Sequence, residues 1–298
     1  MQPVTNILQL MERYPDESSA RKYFEHLRWG DKITCPHCES SKKIYSFNDG
    51  KLYKCSECKK QFTVRVGTFL EQSAIPLRKW LFAFYITINH KKGISSIQLS
   101  KDLGVTQKSA WFMLHRIRKF TENKDIKLSG IVEADESYFG GKDANKHEHK
   151  RGKKPKIMVI GAVERGGNVI TQVGDKDKTN PPFIFVLKNV EKGSKLMTDE
   201  SHNYKLLKTT YNHQTVHHTS KEYVRGEVHI QTLEGYWSHV KRGINGVQHH
   251  VSPKHLERYL FEYDYRWNTR TLTDMQRFEL VMANMKGRLT YSDLIGKE

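Results

Sequence analysis

The N-terminal part of the chain changes from a helical to an alternating pattern of apolar residues. Residues 17–29 carry apolar side chains at helical spacing, which predicts a helix that packs on the module after it. Residues 43–47 and 52–54 alternate instead, and Asn48-Asp49-Gly50 between them is typical of a hairpin turn. We expect a last strand over 61–66, so this segment forms a small β-module.

Helical spacing returns from about residue 76 to residue 120. Pro76 suits the first turn of an apolar helix, and Gly93 ends that helix. Two segments follow: residues 95–105, with a glycine at the turn, and residues 106–118, which open on a threonine cap. This order predicts a helix-turn-helix motif, although a helical bundle that only links two domains would show the same apolar residues.

The second helix of this motif carries the DNA contacts that the sequence predicts. In helix-turn-helix proteins the first turn of the second helix meets the bases, and basic residues reach the phosphates. We therefore expect base contacts from Gln107, Lys108 and Ser109, and phosphate contacts from Arg116 and Arg118.

From about residue 127 onward, short apolar strands alternate with helical segments. The first three strands form a meander, because Arg165-Gly166-Gly167 joins the second and third as a hairpin. The order of elements, β-β-β-α-β-α-β-α, predicts a ribonuclease-H-like α/β fold in which helices cover a mixed sheet. The strands are expected at 130–135, 156–163, 168–173, 194–198 and 214–218, and the helices at 180–187, 201–209 and 232–244.

The chain contains four cysteines in two Cys-x-x-Cys pairs, Cys35 with Cys38 and Cys55 with Cys58. The 16 residues between the pairs fall in the range of zinc ribbons, so the four thiolates predict one structural zinc ion. Two disulfides are the alternative, but they need an oxidising compartment, and residues 1–4 show no apolar signal segment. We therefore expect a zinc ribbon in a cytoplasmic protein.

These patterns divide the chain into four parts. We expect an N-terminal helical segment over 1–30, the zinc ribbon over 31–68, the helix-turn-helix region over 69–126, and the ribonuclease-H-like domain with C-terminal helices over 127–298. The predicted fold class is therefore multidomain α+β, with one domain large enough to bury a sizeable core.

Composition narrows the choice of partner. The chain has 50 Lys and Arg against 33 Asp and Glu, a net charge of +17, so its surface should attract a polyanion. Nucleic acid is the partner we expect. An anionic membrane is the alternative, but no apolar run approaches the ~20 residues of a spanning helix. The basic segment 142–156 either follows a DNA backbone or is a solvated loop.

Three acidic residues fall where elements of the predicted fold begin or end. Asp135 closes the first strand, Asp199 closes the fourth and Glu234 opens the last helix, so the three should converge at one edge of the sheet. Three carboxylates on rigid elements suit one or two magnesium ions, which promote displacement at a phosphate. Lys241 lies two turns after Glu234 on the same helical face, where it is placed to hold a phosphate.

Neighbouring acids compete with this assignment. Glu133 shares a strand face with Asp135, whereas alternation sends Glu136 to the opposite face. We prefer Asp135 because it stands at the end of the expected strand. Substitutions of Glu136 or Glu200 are accordingly expected to matter much less.

Three blocks around these acids resemble a known family. They are Glu133–Gly141, Thr198–Tyr204 and Gln231–Gly243. The blocks are similar to those of bacterial insertion-sequence transposases of the DDE class, and most similar to the ISXO-like group, which carries an N-terminal zinc ribbon. The resemblance implies that Asp135, Asp199 and Glu234 form the metal-binding triad. This chain departs from the family pattern at Gln231, where relatives often carry Asn.

The resemblance implies a function that agrees with the charge and the motifs. A transposase of this kind binds the terminal inverted repeats of its element and uses magnesium to cut and rejoin DNA as a homo-oligomer. We expect Lys241 and Arg242, in the third block, to contact that DNA. Two alternatives remain: a non-catalytic DNA-binding regulator, and a recombinase with Tyr138 or Ser137 as its nucleophile.

Overall fold

A computed structural model describes residues 4–122, 126–140, 156–175, 179–220, 222–283 and 287–296. The chain forms two compact units. One contains Met1–Thr121 together with Thr271–Glu298, and the other contains Glu122–Arg270. Most of the basic segment 142–156 lies outside the described residues.

The first unit begins with two helices and a small antiparallel sheet. The elements are α1 (Ile7–Arg13), α2 (Glu17–Trp29), β1 (Ile44–Phe47), β2 (Leu52–Cys55) and β3 (Gln61–Phe62). Trp29 at the end of α2 packs edge-on against Tyr53 and Phe62, on the sheet face that also buries Cys55. The predicted hairpin and the packing of the helix on the sheet are both present.

The last strand of this sheet is shorter than the sequence predicts. It was expected over 61–66, but only Gln61–Phe62 pair with β2. The carbonyl oxygens of Val64 and Val66 instead accept hydrogen bonds from the Arg28 guanidinium. A side chain from α2 therefore satisfies backbone groups that a strand partner would otherwise bind.

Three helices follow in the same unit, α3 (Leu77–Asn89), α4 (Ser96–Leu103) and α5 (Gln107–Phe120). Gly104 ends α4 in the left-handed conformation, with φ of 58°. The Thr106 hydroxyl caps α5 by accepting the Ser109 N–H at 3.1 Å. The two helices and their turn form the predicted helix-turn-helix.

The second unit contains a five-stranded mixed sheet covered by helices. Its elements are β4 (Ile131–Phe139), β5 (Ile157–Glu164), β6 (Val169–Val173), α6 (Pro181–Asn189), β7 (Lys195–Thr198), a 3-10 helix (His202–Thr209), β8 (Asn212–Thr215), α7 (Gln231–Gly243) and α8 (Pro253–Asn268). The strand order is β6-β5-β4-β7-β8. The first three strands are antiparallel and the last two run parallel to β4, so the predicted ribonuclease-H-like fold is confirmed.

Two further helices, α9 (Asp274–Ala283) and α10 (Tyr291–Ile295), complete the chain. The sequence predicts one domain over residues 127–298, whereas residues 271–298 group with the first unit. In that unit the ring of Phe278 stacks on Tyr23 and meets Tyr85 edge-on. C-terminal helices are expected from the sequence, but a helical pattern does not show which core a helix joins.

The sheet of the second unit has an apolar core on each face. Val132 and Ala134 of β4 belong to the core beneath α6, whereas Phe139 belongs to the core beneath α7 and α8. On the second face α7 approaches β5 at Gly161, where a Cβ atom would lie 2.6 Å from the Trp237 ring. This close approach is possible because glycine has no side chain.

We predict that Gly161→Ala destabilises the second unit. The added methyl group would overlap Trp237 and push α7 outward, at a cost of roughly 1–3 kcal/mol. Thermal unfolding of the purified variant should show a lower midpoint than wild type. Gly246→Ala is the control, because a Cβ atom there meets nothing within 4 Å. Equal midpoints for the two variants would contradict the prediction.

Candidate active site

The four cysteines converge to one cluster in the first unit. The Sγ atoms of Cys35 and Cys58 lie 3.6 Å apart, and those of Cys38 and Cys55 lie 3.7 Å apart. All four lie within 4.8 Å of one another. Tetrahedral zinc with bonds of about 2.3 Å requires sulfurs about 3.8 Å apart, so the cluster fits a zinc ribbon. The backbone amides of Cys58 and Glu57 lower the pKa of Cys55 to about 7. At Cys38 the lowering effect of the Ser40 amide is outweighed by desolvation and by hydrogen bonds with the other three thiols, which raise the pKa, so ionisation of all four thiols calls for a cation.

A second cluster consists of carboxylates at the edge of the large sheet. Oxygen atoms of Asp135, Glu136 and Asp199 all lie within 4.8 Å of one another. The pairing of β4 with β7 covers only Ile131–Glu133, and β7 ends at Thr198. Asp199 therefore directly follows the end of β7, and it lies beside the part of β4 that has no pairing with β7.

Asp135 and Glu136 enter this cluster from opposite faces of β4. Asp135 accepts a hydrogen bond of 3.2 Å from the Trp237 indole on α7. Glu136 accepts one of 3.1 Å from the Asn203 amide on the 3-10 helix. Alternation along the strand is therefore as predicted, yet both carboxylates reach Asp199 because β7 has already ended.

The cluster is electrostatically unfavourable without a cation. Burial, together with the charges of Asp199 and Glu136, raises the pKa of Asp135 to about 7. Burial and the charge of Asp199 also raise the pKa of Glu136, although the Asn203 hydrogen bond opposes that rise. A divalent cation would relieve the repulsion, and oxygen ligands at this spacing suit magnesium or a similar ion.

Glu234 is not among these three carboxylates. It is exposed in the first turn of α7, one turn before Trp237, whose indole donates to Asp135. Glu136 is one of the three acids brought together, although it lies on the opposite strand face from Asp135 as predicted. The catalytic role of Asp135, Asp199 and Glu234 stays a prediction.

Glu133, the other rival acid, is fully buried and lies outside the cluster. Its carboxylate accepts hydrogen bonds from Arg165, from the Thr232 hydroxyl and from the Leu233 amide. These partners occupy the oxygens that a metal ion would need. The preference for Asp135 over Glu133 thus agrees with the geometry.

The basic residues predicted on α7 are exposed. Lys241 and Arg242 both lie at the surface, and the Lys241 ammonium stands 5.8 Å from the ring centroid of Phe139. Of the two alternative nucleophiles, Tyr138 is exposed and Ser137 is buried. In the part of the chain that the structure describes, no helix combines the length and apolar character needed to cross a membrane.

The predicted DNA contacts of α5 divide into exposed and buried residues. Gln107 and Lys108 are exposed and Ser109 is partly exposed, all at the first turn of the helix. Arg116 and Arg118 are only 3% and 0% exposed, so the prediction that they reach phosphates is wrong. The Arg116 guanidinium donates to main-chain oxygens of Phe69, Glu71 and Leu289 in the same unit.

Glu136 belongs to the carboxylate cluster, although its position in the sequence does not predict this. Strand alternation is correct for this residue, but alternation says nothing about where the neighbouring strand stops. The only sequence feature that could have indicated it is its position directly after Asp135 at the expected strand end. The structure extends β4 to Phe139, so both acids lie within the strand.

Two segments of the chain match models of known protein families. Residues 127–268 match the family model of the ISXO2-like transposase domain, and residues 15–61 match that of the transposase zinc-ribbon domain. The chain is also 26% identical over 274 residues to an uncharacterised protein in the transposable element ISH50 of Halobacterium salinarum, a match that covers 86% of this chain and 92% of that protein. Residues 15–61 and 127–268 therefore carry, in this order, the two domains that the resemblance predicts: a transposase zinc ribbon and an ISXO2-like transposase domain.

Proposed function

We propose that the protein binds the terminal inverted repeats of its insertion sequence and catalyses metal-dependent DNA cleavage and strand transfer. The observation that carries the proposal is the convergence of Asp135, Glu136 and Asp199 at one sheet edge, within 4.8 Å of one another. A non-catalytic DNA-binding regulator would not need partly buried, mutually repelling carboxylates, which destabilise a protein that holds no cation there.

The proposed catalytic metal is magnesium, one or two ions per chain. Asp135 and Asp199 would hold it, with Glu234 reaching in from α7 and Glu136 as the further oxygen donor that the geometry adds. When bound, magnesium supplies positive charge that polarises a phosphate and favours ionisation of an attacking hydroxyl. Asp135 and Glu136 lie within β4, Asp199 directly follows β7 and Glu234 lies in the first turn of α7, so the backbone holds these acids in place.

Side chains around the acids orient them for this role. The Trp237 indole donates to Asp135 and the Asn203 amide donates to Glu136, so each carboxylate keeps one oxygen fixed. Lys241 is exposed farther along α7, where it is suited to hold a phosphate of the bound DNA. The net charge of +17 attracts the DNA as a whole, and joining two element ends calls for a homo-oligomer.

The four cysteines are proposed to hold one structural zinc ion per chain as thiolates. The sulfur separations of 3.6 and 3.7 Å support this assignment. So small a sheet buries few apolar residues, so metal binding would supply much of the free energy that folds it.

We expect purified protein to contain about one zinc per chain, and Cys35→Ser to lose it. Atomic emission would measure the zinc content of the wild-type protein and the variant. Far-UV circular dichroism would show the loss of structure when zinc is removed by a chelator. Phe47→Ser provides the control, because Phe47 is exposed and pairs with Leu52 at the turn end of the hairpin, whereas Cys55 pairs with Ile44 at the other end. Four freely titratable thiols in native, zinc-free protein would contradict this prediction.

The carboxylate cluster predicts loss of cleavage without loss of DNA binding. Asp199→Asn removes one negative ligand and keeps the volume, so cleavage in magnesium should fall by about three orders of magnitude or more. Binding to element ends should persist, because removing a negative charge reduces repulsion of DNA. A strand-transfer assay and a gel-shift assay with the element's own ends measure the two properties.

Three glutamate variants serve as comparisons in the same assay. Glu191→Gln is the control, because Glu191 is exposed and lies outside the cluster. We expect Glu234→Gln to lose more activity than Glu136→Gln, and the reverse order would assign the third ligand to Glu136. Near wild-type cleavage by Asp199→Asn would favour a recombinase, and no cleavage by the wild-type protein would favour the regulator.

The exposed first turn of α5 predicts where sequence-specific contacts lie. Lys108→Ala should lower affinity for element ends more than affinity for random DNA, and should leave the melting temperature unchanged, because Lys108 is exposed. Arg116→Met should instead lower the melting temperature, because three main-chain oxygens lose their donor. Competition binding and thermal unfolding separate the two, and an unaltered melting temperature in Arg116→Met would contradict the structural role.

A further inference from the structure

Glu133 is a buried carboxylate that the proposed chemistry does not use. It lies on β4 two residues before Asp135, on the same face of the strand, and is 0% exposed. Its oxygens accept the Leu233 amide at 3.0 Å, the Thr232 hydroxyl at 2.9 Å and the Arg165 guanidinium at 2.6 Å. His229 Nδ1 stands 3.5 Å away. Burial of a charge costs free energy. A buried carboxylate with this many hydrogen-bond partners therefore calls for an explanation.

Two of these partners belong to the first turn of α7. That helix begins after Ile230, whose side chain offers no acceptor; the Gln231 amide donates to His229 Nδ1 at 3.4 Å, and the Leu233 amide donates to Glu133. The first amides of a helix need acceptors, and a negative charge there also interacts favourably with the helix dipole. Glu133 therefore acts as the cap of α7, although it belongs to a strand distant in sequence.

Arg165 extends the connection to the chain that leads into α7. Besides pairing with Glu133, it donates to the main-chain oxygens of Glu227 and His229, each at 2.8 Å. One guanidinium thus holds both the capping carboxylate and the segment just before the helix. A capping residue next to α7 in sequence would stabilise the helix, but it could not set the helix against β4.

Glu234 follows Leu233 directly in that first turn, and Trp237 one turn later donates to Asp135. Helix α7 is therefore tied to β4 at two points, Glu133 and Asp135. We propose that Glu133, with Arg165 as its counter-ion, is a positioning residue that sets the place of Glu234 relative to Asp135. The inference rests on the proposed function, because it takes Glu234 as a metal ligand.

Binding of Mn²⁺, followed by electron paramagnetic resonance, tests the inference without requiring catalysis. Glu133→Gln keeps the shape but loses the charge, so we expect about tenfold weaker Mn²⁺ binding. Thr232→Val should weaken binding in the same direction, whereas Thr232→Ser keeps the hydroxyl and should bind like wild type. Glu191→Gln, an exposed acid exchanged in the same way, is the control for loss of charge. Wild-type affinity in both Glu133→Gln and Thr232→Val would overturn the inference.

A double-variant comparison separates positioning from a general structural role. In a Glu234→Gln background the residue to be positioned is gone, so adding Glu133→Gln should change Mn²⁺ affinity by less than about twofold. An equal loss in both backgrounds would overturn the inference, because it would show that Glu133 acts on the site independently of Glu234.

Amide hydrogen exchange of α7 distinguishes failure of the inference from failure of the proposed function. Exchange in the first turn should be faster in Glu133→Gln, since the Leu233 amide loses a charged acceptor. Unchanged exchange there would overturn the inference alone. Wild-type protein that binds no Mn²⁺, but shows this faster exchange in the variant, would instead overturn the metal-dependent function.

Discussion

The close packing of α7 on the large sheet is the contact on which the site depends. Trp237 reaches the sheet only because Gly161 has no side chain. Gly161 on β5 pairs with Asp135 on β4, and the Trp237 indole donates a hydrogen bond to the Asp135 carboxylate. Two residues earlier on the same strand, Glu133 accepts a hydrogen bond from the Leu233 amide in the first turn of the helix. Strand β4 thus places one acid itself and fixes the helix that carries another.

Electrostatics give this edge of the sheet a different character from the rest of the molecule. The chain is strongly basic overall, yet three carboxylates meet at one point, and their proximity and burial raise the pKa of Asp135 to about 7. Excess positive charge elsewhere suits binding of DNA, whereas the acidic cluster suits binding of a divalent cation. A site that needs both a polyanion and metal ions requires this separation of charge.

Not all of the positive charge is available to a partner. Arg116 hydrogen-bonds main-chain oxygens inside the first unit, Arg28 holds the chain after β3, and Arg165 pairs with a buried glutamate. The planar guanidinium suits such roles, because it donates to several acceptors at once. A basic residue in a helix of a DNA-binding motif therefore need not face DNA. Whether it can contact DNA depends on whether its side chain is exposed or buried.

Much of this architecture follows from local chemistry along the chain. Cysteine spacing determined the ribbon, alternation and glycine turns determined the strands, and the positions of Asp135 and Asp199 at or just beyond expected strand ends brought them together as predicted. Other properties depend on contacts between distant segments, which periodicity does not encode. Tertiary structure alone decided that the pairing of β7 with β4 ends before Glu136 and that the Arg116 side chain is buried. The grouping of residues 271–298 with the first unit is likewise decided by tertiary structure. It also decided that Glu133 caps a helix 100 residues away, because an acceptor for an amide can come from any segment that folding brings near.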